Sequence, residues 1–122
     1  MTPIKALPDL EWTDQSAKEI ALSPGLVEQS DFAWQVGDDF IAGWYYPVFM
    51  GPAYFWFALT KVFAGMKLRR LRELQPRLPT NAITYVEDGW EAGDRFARYF
   101  KFYPTEETRD VGDSTYRVYR RD

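Results

Sequence analysis

The run Ala53-Tyr54-Phe55-Trp56-Phe57-Ala58-Leu59-Thr60-Lys61-Val62-Phe63-Ala64-Gly65-Met66 decides the fold class. Up to Leu59 it is dense in aromatic, β-prone side chains and marks a strand. After Thr60 the apolar period changes from two to 3.6. Phe63, Met66, Leu71 and Leu74 recur at helical spacing over Lys61–Gln75, and Lys67, Arg69, Arg70 and Arg72 lie largely on the other side. Pro76 and Pro79 stop that helix. Upstream, Asp31–Val36 alternates as a strand, Gly37-Asp38-Asp39 is a turn, and Phe40–Val48 is a second strand, so the three runs form a meander. Thr13 or Asp14 caps a helix over Gln15–Leu22, which Ser23-Pro24-Gly25 ends. Downstream follow a strand at Ala82–Val86, a helix at Trp90–Phe100 with Asp88 as its cap, and strands at Phe102–Arg109 and Thr115–Arg120. The expected class is α+β: a mixed, mostly antiparallel sheet of about six to seven strands with about three helices. No linker or repeat divides residues 1–122, so one domain is expected.

The 122 residues suffice for one core, since about 65–70% of the unfolded surface is buried at this size. Cysteine and histidine are both absent. That excludes disulfides, thiolate ligands, cysteine nucleophiles and serine–histidine triads. Acid–base chemistry would fall to carboxylates, Tyr, Lys, a terminus or water. The net charge of −3 is uneven: residues 1–60 carry two basic and eight acidic side chains, residues 61–122 thirteen and ten. An anion-binding surface therefore belongs to the second half. The first residues show neither a basic start nor an apolar stretch, so no secretory signal peptide is expected, and a soluble intracellular or virion-type protein is.

Each candidate constellation has a plain structural use beside its functional one. Lys61, Lys67, Arg69, Arg70 and Arg72 can cradle phosphates, or be the solvated face of a helix. Asp38 and Asp39 are ordinary turn residues, and no metal site is expected. Glu87 stands at the carboxyl end of a strand just before a helix, where open α/β sites lie, and is the candidate general base. Twelve of the aromatics fall between Phe32 and Phe63. Neighbouring residues on a strand face opposite ways. Three helices are too few to cover all of these rings, so Trp44, Tyr46, Tyr54 and Trp56 are expected to form an exposed patch for a protein partner or a second copy. Neither a membrane nor a nucleic acid is expected as partner.

The order meander, helix, strand, helix, closing hairpin resembles the Gcn5-related N-acetyltransferase fold from Asp31 onward. Members often open the late helix with Asn, place Ala one turn in and Tyr two turns in, and leave it with Gly-Phe. With the exit aligned on Phe102, those places hold Trp90, Gly93, Ala97 and Lys101, so four of the five markers differ. The family's phosphate loop has Arg/Gln-x-x-Gly-x-Gly/Ala before the central helix. Its counterpart is Lys61-Val62-Phe63-Ala64-Gly65-Met66, with the glycine one place late. Such degenerate versions are similar to small proteins of short-tailed bacteriophages, including internal virion proteins. The resemblance implies an interaction module, virion-associated, without a cofactor. The alternative is an active N-acyltransferase that holds acetyl-coenzyme A on Leu59, Thr60, Lys61, Ala64 and Gly65, with Glu87 deprotonating an amine.

Overall fold

The computed structural model describes residues 1–63 and 74–121. Its elements are β1 (Thr2–Pro3), α1 (Asp14–Leu22), α2 (Leu26–Gln29), β2 (Phe32–Val36), β3 (Phe40–Tyr45) and β4 (Ala53–Leu59), then a 3-10 turn at Gln75–Arg77, β5 (Ala82–Glu87), α3 (Glu91–Tyr99), β6 (Tyr103–Val111) and β7 (Ser114–Arg121). The seven strands form one mixed sheet in the order β1-β2-β3-β4-β5-β7-β6. β4 and β5 run parallel, Ala53 opposite Ala82 and Tyr54 opposite Ile83. Every other registered pairing of these strands is antiparallel. The α+β class and the three-strand meander are as the sequence predicts. Most of the helix expected at Lys61–Gln75 lies outside the described residues.

The chain groups into two compact units, Met1–Tyr45 with Phe55–Arg77 and Tyr46–Tyr54 with Leu78–Asp122. In the first, Gly37 turns with φ 53°, a left-handed value that suits glycine, and sets Val36 opposite Phe40. Gly43 lies beneath the Trp56 ring: a Cβ there would come within 2.7 Å of the indole. The indole N–H donates to Ser30 Oγ at 2.7 Å, so the ring is covered and its polar edge satisfied. Val36, Phe40, Ile41, Phe55, Leu59 and Leu74 are fully buried. Thr13, extended at ψ 157°, caps α1 and accepts from the Ser16 N–H. β3 ends at Tyr45, three residues short of the expected Val48. Pro47 has no N–H to give a ladder. The four-residue α2 shows no apolar period long enough to read in the sequence.

In the second unit β5 alternates, with Ala82, Thr84 and Val86 buried and Ile83, Tyr85 and Glu87 half-buried. α3 packs on β5 and buries Gly93, Phe96 and Ala97, the three-and-four spacing of one helix face. Asp88 does not cap it. The cap position is Trp90, which makes no side-chain capping bond, and the Asp88 carboxylate accepts from Arg117 Nε at 3.1 Å. At the exit Lys101 takes φ 69°, and the Phe102 N–H closes onto the Ala97 carbonyl at 3.0 Å, the six-to-one bond of a left-handed helix stop. β6 is the sheet's last strand and exposed along almost its whole length. It pairs with β7 through an irregularity between Pro104 and Thr108, where the Thr105 hydroxyl donates to the Val118 carbonyl at 2.8 Å.

Candidate functional site

The end of β4 is where the resemblance places a cofactor, and its backbone donors already have partners within the chain. The Leu59 N–H donates to Ser16 Oγ at 2.8 Å. The Thr60 N–H donates to the Asp39 carbonyl at 3.0 Å, and the Lys61 N–H to the Glu11 carbonyl at 2.8 Å. The Leu59 carbonyl accepts from both the Thr13 N–H, at 3.0 Å, and the Thr13 hydroxyl, at 3.1 Å. The Thr60 hydroxyl donates to the carbonyls of Asp38 and Asp39. Ser16 and Thr60 are buried, so the groups they bind would be costly to leave unpaired, whereas Glu11 and Lys61 are both exposed. Ala64 and Gly65, like Lys67, Arg69, Arg70 and Arg72, lie outside the described residues.

Glu87 closes β5 with its side chain half-buried, opposite Tyr116 of β7 in register. Ala97, the residue at the family's Tyr position, is fully buried on the core face of α3, so no hydroxyl stands there. At the family's Ala position is Gly93. A Cβ on it would come within 2.6 Å of the Trp90 ring, so the indole lies directly on the first turn of α3.

A polar cluster that sequence reasoning missed joins α3 to β7. The Tyr119 hydroxyl donates to Asp94 Oδ1 at 2.6 Å, and Arg98 Nε donates to the same carboxylate at 2.9 Å. Burial, then the hydrogen bond to Asp94 and the carboxylate's charge, push the Tyr119 phenol up to about 12. Burial also pushes the Asp94 carboxyl up. The bonds from Tyr119 and Arg98, with the charges of Arg98 and Arg95, outweigh it and hold Asp94 below its ordinary value. The Asp94–Arg98 spacing of four on a helix was legible. The Tyr119 partner, on another element, was not. The Tyr119 hydroxyl, committed to the Asp94 carboxylate, tethers β7 to α3.

The expected aromatic patch is corrected in half its members. Trp44 and Trp56 are buried, at 6% and 3% exposure. Trp44 packs with Trp34 at 5.0 Å and Phe32 at 5.3 Å between ring centroids, and Trp56 is held by Gly43 and Ser30. Tyr46 is exposed. Tyr54 is half-buried, its ring 5.4 Å from that of Tyr85. The sequence missed the connection after β3, where Val48, Phe49 and Met50 are exposed beside Tyr46. Among the described residues no group of acidic side chains could hold a metal ion, and no helix is long and apolar enough to cross a membrane. Comparisons with family models, with curated proteins and with solved structures give no match to this chain.

Proposed function

We propose that the chain carries a catalytically degenerate acetyltransferase-type fold and works as an interaction module, virion-associated or in the host cytoplasm of a bacteriophage infection. One observation carries the loss of catalysis. The N–H groups of Leu59, Thr60 and Lys61 are bound by Ser16 Oγ, the Asp39 carbonyl and the Glu11 carbonyl, so none is left to receive a cofactor or a developing oxyanion. The family resemblance is supported by the strand order with β4 and β5 parallel and by the left-handed exit of α3 ahead of Phe102. The buried Ala97 removes the phenol that the resemblance would use as the acid.

Calorimetric titration with acetyl-coenzyme A tests this. No saturable binding is expected below roughly 100 µM, that is, less than about 5.5 kcal/mol of binding free energy. A dissociation constant near 1 µM would instead favour the second reading, an N-acyltransferase with Glu87 as its base. That reading draws on the half-buried position of Glu87 at the end of β5.

A further inference from the structure

The connection between β3 and β4 breaks two local rules at one point. Val48–Gly51 is a tight turn closed by the Gly51 N–H on the Val48 carbonyl at 3.0 Å. Its third residue is Met50 at φ 62°, a place that favours Gly or Asn. Gly51 follows immediately, and does not take that place. The two corner residues are Phe49 and Met50, exposed by 92% and 88%, with Val48 at 64% and Tyr46 at 54%. Turn corners ordinarily hold small or polar residues. A strained, solvated methionine beside a solvated phenylalanine departs from both rules, and such departures gather where something binds.

We propose that two copies of this chain associate through the Tyr46–Met50 turn in a two-fold, self-complementary contact. The proposal rests on the interaction-module reading and names its partner. A two-fold contact brings side chains close to their own copies, so it is favoured where no charge meets its like. From Phe40 to Thr60 the sequence has no charged residue. The chain as a whole is acidic, with net charge −3, which opposes docking on an anionic membrane. An aromatic side chain offers about 150–250 Å², so at these exposures the turn presents on the order of 500 Å² per copy. Two copies that covered all of it would bury at most roughly 1,000 Å², the lower bound for specific association. A contact of this size makes a weak, reversible dimer.

Sedimentation equilibrium of the full chain over a wide concentration range should show a reversible monomer–dimer equilibrium. Phe49→Asp should weaken it at least tenfold. Met50→Gly should weaken it as well while raising the melting temperature, because glycine relieves the left-handed backbone; a structural role alone would not split the two readouts in this way. The chain has no cysteine, so Met50→Cys carries a single thiol. Oxidation in air with a copper–phenanthroline catalyst should link two copies through that position, and Leu22→Cys, exposed on α1, should not respond. A chain that stays monomeric throughout overturns the proposal, including the case where the wild type but not Phe49→Asp sediments with phosphatidylcholine vesicles. So does a dimer indifferent to Phe49→Asp. Neither result bears on the acetyl-coenzyme A titration, which tests the loss of catalysis separately.

Discussion

Ser16 occupies the first turn of α1 and has no exposed surface, and its hydroxyl is the acceptor for the Leu59 N–H. Ser16→Ala removes that acceptor and strands a buried donor. Chemical denaturation should show a loss of about 1–3 kcal/mol, large for so small a change. Lys101 is the opposite case. It holds φ 69° at the end of α3, where the family resemblance expects glycine. Lys101→Gly should raise stability by about 1 kcal/mol, the left-handed penalty relieved less the extra freedom of an unfolded glycine. Equal or lower stability in that variant would mean that the lysine makes a contact worth more than its strain. Neither position was legible in the sequence. A serine with a buried partner 43 residues away is written like a serine facing water, and Lys101 shows no mark of its backbone angle.

Among the elements, the β2–β3 hairpin and β4 were legible because alternation and the Gly37-Asp38-Asp39 turn are both local signals. The burial of Trp44 and Trp56 was not, because alternation separates two faces without saying which is covered. For Trp56 the cover depends on a hydrogen at Gly43 and an acceptor at Ser30. The tether between α3 and β7 adds a pH dependence. Tyr119 titrates near 12 in the folded chain against an ordinary 10. Its stabilising effect is therefore present in full below about pH 10 and lost as the pH rises from there through about 12. Tyr119→Phe should cost about 1–2 kcal/mol at neutral pH and flatten this alkaline decline. Melting temperatures of both proteins across that range check it, and parallel declines would show that the phenol is not the titrating group.

For the molecule as a whole, the class was legible, because the aromatic alternation up to Leu59 and the late β-α-β-β order are properties of long segments; the helix expected after Thr60 lies mostly outside the described residues. Of the residues the resemblance assigns to a cofactor, Leu59, Thr60 and Lys61 stand at the end of β4. Sequence could not reveal that their donors are already used, since Glu11, Ser16 and Asp39 reach them only after folding. The same bonds govern the order of assembly. β6 and β7 are joined by a two-residue turn at Gly112 and Asp113, a short loop that closes at little entropic cost. The Ser16–Leu59 bond closes a loop of 43 residues, so its closure entropy must be met before it gives any return. α1 is therefore expected to dock after the folding transition state. Ser16→Ala, whatever it does at equilibrium, should leave the refolding rate nearly untouched in stopped-flow experiments and speed unfolding instead, with a φ-value below about 0.3. On that outcome the helix at the end of β4 would act as a latch on unfolding, contributing to the lifetime of the native state more than to the speed of reaching it.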